Sequence, residues 1–171
     1  MRSVSKSVPV VLAAGLVVAS LIGLSGCGSD TGSAPDAEST PSQTLEVVAQ
    51  GFDSAEDLAD YLAKSLDEVD VYLESEANPD FDEENEPDRL HVEFASSEDE
   101  AADMEATAQI VQAVSQAAFD YDILMVTGDV SAGEWSYLYH RDTVADLTTG
   151  DTITVAGVWD AADQSFDTIH R

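Results

Sequence analysis

Basic residues and cysteine are scarce in this chain: two lysines, four arginines and a single cysteine, Cys27, stand among 171 residues. One cysteine rules out a disulfide within the monomer. So few cations argue against nucleic acid as a partner, because binding to a phosphate backbone is driven by Lys and Arg displacing counterions. They argue equally against charge-driven adsorption to anionic lipid. Several catalytic signatures are missing too. There is no glycine-rich phosphate loop, and Gly128-Asp129-Val130-Ser131-Ala132-Gly133 is one residue too long for the nucleophile elbow of a hydrolase. His140-Arg141-Asp142 spells the triplet of a kinase catalytic loop, yet the strand lysine and the Asp-Phe-Gly that must accompany it are absent. A long apolar run occurs once, from Val8 to Leu24.

That run follows Arg2 and Lys6, is broken only by Pro9 and small residues, and is preceded by no acid. This is the order a secretion signal requires. Its end, Leu24-Ser25-Gly26-Cys27, resembles the lipobox of bacterial membrane lipoproteins. The resemblance implies that residues 1–26 are a signal peptide, that the chain is cut before Cys27, and that this cysteine takes a diacylglyceryl thioether. The new amine is commonly acylated as well, and two or three acyl chains at roughly 0.8 kcal/mol per buried methylene anchor a protein stably. The expected location is extracytoplasmic, at the cell membrane. A short uncleaved membrane anchor competes for the apolar run, whose length is borderline against about 20 residues for a span. A free or buried thiol is the competing reading of Cys27. The resemblance covers residues 1–27 and carries nothing about fold or activity.

Removing residues 1–26 takes away two basic residues and no acid, which leaves 4 basic residues against 35 carboxylates, a formal charge of 4 − 35 = −31. Cations and basic envelope proteins are the partners such a field favours. The abundance of Ala, Val and Asp with little Lys fits a GC-rich genome or a salt-adapted surface. After Cys27, the stretch Gly28 to Gln43 is rich in Gly, Ser, Thr, Pro and Asp without apolar periodicity, so residues 27–43 read as a lipidated cysteine and tether. A flexible coil of that length reaches roughly 20 Å on average. Residues 44–171 then form one acidic domain.

Within it, Leu45 to Ala49 reads as a strand and Ala55 to Leu66 as a helix capped by Ser54 and Asp57. Val69 to Leu73 reads as a strand and Glu74 to Asp88 as an acidic, Pro-punctuated loop. Leu90, Val92 and Phe94 alternate with His91 and Glu93, the pattern of a strand with one wet face. Ser97 and Glu100 have capping-box spacing and open a helix to Ala118, with Met104, Val111, Val114 and Ala118 down one side and Gln109, Gln112 and Gln116 on others. Ile123 to Val126 reads as a buried strand. Gly128 and Gly133 bracket a turn into the strand of Trp135 and Tyr139, Thr152 to Trp159 reads as a further strand, and Phe166 to Ile169 as a last one. The expected fold is α+β: a mixed sheet with about two helices on one face, a β-α-β unit and a C-terminal β-meander.

Four constellations bear on chemistry. Asp80, Asp82, Glu84, Glu86 and Asp88 place oxygens at every second position, as a calcium loop does. The sixth position is Asn85 and the twelfth His91, where that loop needs Gly and a bidentate Glu, so a solvated charge run competes with a weak calcium site. His91, His140 and His170 lie on or near different expected strands, as metal ligands or as ordinary strand-end histidines. Trp135, Tyr137 and Tyr139 share one strand face, a ligand-stacking platform if that face is open and core if it is closed. Cys27 carries the lipid. Without a nucleophile, phosphate loop or metal cluster, the sequence points to a lipid-anchored, extracytoplasmic, non-catalytic binding or interaction domain of the bacterial cell envelope. An envelope hydrolase assembled from scattered Asp, His and Tyr is one alternative, and a cation-binding or salt-adapted surface protein is another.

Overall fold

Alternation along Arg89–Ala95 buries Leu90, Val92 and Phe94 on one face and leaves Arg89, His91 and Glu93 half-buried on the other. The computed structural model describes residues 43–46, 50–131, 133–150 and 152–170. The expected signal peptide, Cys27 and the tether through residue 42 lie outside the described residues.

In chain order the elements are β1 (Thr44–Glu46), α1 (Ala55–Leu62), β2 (Asp70–Leu73), α2 (Glu74–Ala77), β3 (Arg89–Ala95), α3 (Glu100–Val114) and β4 (Ile123–Val130). They continue with β5 (Gly133–His140), α4 (Arg141–Leu147), β6 (Thr152–Thr154), a 3-10 turn (Val155–Gly157) and β7 (Gln164–Phe166). The architecture is α+β, as expected, with a five-stranded mixed sheet in the order β2-β3-β4-β5-β7. β3 and β4 are parallel and joined through α3, the expected β-α-β unit, and β4, β5 and β7 form the antiparallel meander. β6 leaves that meander and pairs with β1 in a two-stranded sheet.

Register carries the apolar rows straight across the sheet. Leu73, Leu90, Leu124 and Tyr139 form one row, and Val71, Val92, Val126 and Tyr137 the next. This face packs against Leu58 and Leu62 of α1, Ile110, Val111 and Val114 of α3, and Val144 of α4 in one core. Helix α3 is the hub, touching α1, α4, β4, β6 and the 3-10 turn. No helix among the described residues is long and apolar enough to cross a membrane.

Several elements differ from the sequence expectation. Ser54 caps α1 as expected, its Oγ accepting from the Asp57 amide at 3.1 Å. Helix α3 is capped instead by Asp99, which accepts from the Ala102 amide at 3.0 Å, because Ser97 donates to Asp103. The helix stops at Val114 rather than Ala118, since the chain beyond it exchanges backbone hydrogen bonds with Phe52: Phe52 N–H to Gln116 O and Ala118 N–H to Phe52 O. The acidic stretch contains the one-turn helix α2, tied down by Asp88, which accepts from both the Ser75 amide and hydroxyl. The expected strand Thr152–Trp159 ends at Thr154. Val155, Val158 and Trp159 are spaced to bury along a helical turn as well as along a strand, and Val155 and Val158 are buried there.

Gly128 sits inside β4 rather than at its turn, opposite Trp135 in the register. A Cβ at Gly128 would lie 2.2 Å from Trp135 Cε2 and 2.3 Å from Cζ2, so the indole occupies the space that any other residue's side chain needs. Gly128→Ala is therefore expected to destabilise the fold by roughly 1–3 kcal/mol, the cost of overpacking a core. Chemical denaturation with near-UV circular dichroism would check this, and unchanged stability with an unchanged tryptophan signal would refute it.

Candidate functional site

The aromatic face of β5 is closed. Trp135 and Tyr139 are fully buried and Tyr137 nearly so. Each polar tip is used inside the protein: Trp135 Nε1 donates to Ser96 Oγ at 3.0 Å, Tyr137 OH to Asp167 Oδ2 at 2.9 Å, and Tyr139 OH to the Val158 carbonyl at 3.0 Å. Trp159 stacks on Tyr137 with centroids 4.7 Å apart and meets Trp135 edge-on at 5.6 Å. Its indole N–H donates to Thr107 Oγ1, which in turn donates to the Asp103 carbonyl.

The three histidines do not share partners. His91 stacks on Tyr72 at 4.6 Å and lies 3.7 Å from Glu74 Oε2. His140 is exposed at the end of β5, where its backbone amide donates to Asp163. His170 alone is deeply placed. Among the described residues no set of three or more His, Cys, Asp or Glu side chains is gathered as a metal ion requires. In the acidic stretch, Asp82 accepts from the Glu84 amide and the Asn85 side chain, and Asp88 from Ser75.

What the fold does assemble is a chain of polar groups around His170. Its Nε2 lies 3.1 Å from Asp103 Oδ2 and its Nδ1 3.0 Å from Asp167 Oδ2. The imidazole side chain is 4% exposed and both carboxylates 2%. The ring packs against Trp159 at 5.0 Å and Trp135 at 5.6 Å. Asp103 Oδ2 also accepts from the Ser96 hydroxyl, and Oδ1 from the Ser97 amide and hydroxyl. Asp167 Oδ1 accepts from the amides of Ile169 and His170, and Oδ2 from Tyr137. Each of the four carboxylate oxygens thus has two hydrogen-bonding neighbours, one of them a ring nitrogen of His170 at each Oδ2, which leaves none turned toward a substrate. Burial opposes the charge on Asp167, but the donors from His170, Ile169 and Tyr137 outweigh it and hold the carboxyl down at about 2.

Beside this network lies an open cleft of about 240 Å³ between the end of α1 and the first turns of α3, with Leu66, Phe94 and Ala106 among its apolar walls. Asp67, Asp103 and Glu105 are its charged lining residues, and Ser97 and Asp103 belong to both the cleft and the network. Its volume suits a single side chain rather than a whole drug-sized ligand. Among the described residues, the two non-glycine positions with left-handed backbone are Glu68 (φ 52°) and Glu98 (φ 61°), each adjacent to a lining residue of this cleft. Such conformations cost energy and concentrate at functional sites.

The sequence marks His170, Trp135 and Tyr137 as candidates but not Asp103, Ser96 or Trp159. Asp103 and His170 are 67 residues apart, and only the β-α-β crossover and the return through β7 bring them together. The one local signal was the i, i+3 spacing of Asp167 and His170.

Because the folded-state value of Asp167 lies below the ordinary 3.8, its stabilising contribution is present above about pH 4 and is lost as pH falls toward 2. On the order of 2 kcal/mol should therefore disappear from the acid limb of the stability profile in Asp167→Asn, with a matching loss of stability at neutral pH. Parallel acid profiles of the variant and the wild type, offset by nothing, would contradict this.

No family model, curated protein or solved structure matches this chain.

Proposed function

We propose that this chain is a lipid-anchored, extracytoplasmic binding domain of the bacterial cell envelope, held to the membrane through acyl chains on Cys27, and that its partner presents a basic side chain to the cleft beside α3. The observation that carries the binding half is the cleft itself, whose charged lining groups are all carboxylates, on a chain left with −31 after residue 26. A field of one sign concentrates cations at such a concavity and speeds their encounter. The apolar walls from Leu66, Phe94 and Ala106 suit the methylene stem of Lys or Arg, with the head group at Asp67 and Glu105. Anchoring rests on the lipobox-like Leu24-Ser25-Gly26-Cys27. The saturation of Asp103 and Asp167 supports binding over hydrolysis, since a general acid or base needs a free position within reach of a reacting group.

Two measurements test the halves separately. Cys27→Ala should release the protein from the membrane fraction and block removal of residues 1–26. Continued membrane retention of a normally processed product would end the lipid assignment. For the cleft, a short Arg- and Lys-containing peptide titrated at physiological ionic strength, where charges beyond about 8 Å are screened, should bind saturably. Asp67→Asn with Glu105→Gln should weaken it roughly tenfold, about 1.4 kcal/mol. Glu83→Gln with Glu84→Gln, in the exposed acidic stretch, should change it by no more than about twofold. Equal losses from both pairs would mean diffuse attraction to the whole surface and no site.

A further inference from the structure

The group that fills the recess behind the cleft is held as a recognition site holds an organic cation. Both ring nitrogens of His170 face carboxylate oxygens, which only accept, so the recess is built for a planar group that donates in two directions. Two indoles lie within cation–π range of it, Trp159 at 5.0 Å and Trp135 at 5.6 Å. Three of the walls do not depend on the group inside. Asp103 is fixed on α3 by Ser96 and Ser97, Trp159 is fixed by Thr107, and Trp135 lies across Gly128 on β5.

The filling group sits on a segment outside the regular elements, held by side-chain contacts and turn hydrogen bonds and not by a strand ladder. Residues 167–170 follow β7, a strand of three exposed residues with Phe166 63% exposed, and form no strand or helix themselves. The bonds of Asp167 and His170, the packing of the His170 ring on Trp135 and Trp159, and partly buried Ile169 tie the segment to the core. Its removal would leave the four strands β2 to β5 paired. Asp103 and Ser97 also line the open cleft, so they form the wall between it and the recess.

Resting on the basic partner proposed above for the choice of ligand, we propose that the Asp103–Trp135–Trp159 recess is a second, deeper binding site for a planar organic cation, a guanidinium or imidazolium, and that His170 is an internal occupant which such a ligand displaces. The partner's side chain enters along the cleft, its head group pairs with Asp103 between the two indoles, and residues 167–170 swing away. His170 thereby sets the threshold for binding, since a ligand must outcompete a group of its own chemistry that is already tethered in place.

The test uses the full chain with His170→Ala, which empties the recess and keeps its walls. Imidazole at a pH of about 6, where it is charged, and methylguanidinium should each quench the tryptophan fluorescence of this variant saturably and raise its melting temperature. Sodium chloride at equal ionic strength should do neither. Wild type should respond at least about tenfold more weakly, because its own imidazole competes. Trp159→Phe added to His170→Ala should weaken the response while leaving the fold intact by circular dichroism. No saturable response in a folded His170→Ala, or identical responses in variant and wild type, would overturn the proposal. If His170→Ala does not fold, amide exchange in wild type decides. The Ile169 and His170 amides, which donate to Asp167, should exchange faster as methylguanidinium is added, and unchanged exchange would overturn displacement. Both readouts use small ions at Trp159 and His170, so they fail or succeed independently of peptide binding at Asp67 and Glu105.

Discussion

Because Gly128 has no side chain, the Trp135 indole lies across β4 where a Cβ would stand 2.2 Å away, and the aromatic core takes its positions from that ring. Phe94 meets it edge-on from β3 at 5.6 Å, Tyr137 at 5.8 Å along its own strand, and Trp159 at 5.6 Å from the segment after the 3-10 turn. Its N–H holds Ser96, whose hydroxyl orients Asp103, and Asp103 in turn receives His170. One close approach in the sheet therefore ties together β3, the first turn of α3, the segment after β6 and the segment after β7. Edge-to-face aromatic pairs contribute about 0.5–1.5 kcal/mol each beyond the area they bury, so the ring is an energetic centre as well as a geometric one.

The same chain must fold against its own charge. Of the described basic residues, Arg89 pairs with Glu74 at 2.6 Å and Arg141 with Asp120 at 3.0 Å, while Arg141 also lies over the Tyr121 ring and Lys64 over Tyr61. The Arg89 guanidinium holds Glu74 below the usual carboxylate range. Asp163 is likewise lowered: burial opposes its charge, but the His140 amide and the Thr143 hydroxyl outweigh that penalty. These cations are used locally, and most of the described carboxylates have no basic side chain within ion-pair distance. Repulsion among them weakens the compact state and is relieved by salt or by a cationic partner. Binding of a basic group, as proposed, would therefore be coupled to folding stability as well as to recognition.

Periodicity made most elements legible. The alternation at Leu90, Val92 and Phe94, the capping serine at Ser54 and the apolar run at Ile123–Val126 each reflect one local rule, and the elements they imply exist. Failures fell where distant parts of the chain intervene. Gln112, which the spacing places off the apolar side of α3, is buried because that helix is enclosed by α1, α4 and the β6 segment, none of which its own sequence reveals. Gly128 reads as punctuation until Trp135 is seen across from it. Asp103 is one of 35 acids with nothing local to mark it. Its importance arises from Ser96, Ser97 and His170 converging on it, a property of topology rather than of spacing.

A buried cluster of carboxylates and imidazole is a poor device if stability is its only purpose. Burying a charge costs several kcal/mol, and well-packed apolar residues of similar volume often replace a buried ion pair with a gain. The interior around Asp103, His170 and Asp167 is already rich in Trp, Tyr and Phe, so an apolar plug in place of His170 would extend a core that lies ready on every side. The chain instead keeps two carboxylates and an imidazole there, directly behind an open cleft whose lining includes one of those carboxylates. A buried carboxylate is strongly specific, because an intruder lacking the matching donor leaves Asp103 Oδ2 without the partner that His170 supplies. With the proposed displacement of His170, the arrangement would gain what an apolar core lacks, a position that accepts a planar cation and rejects neutral groups of the same size.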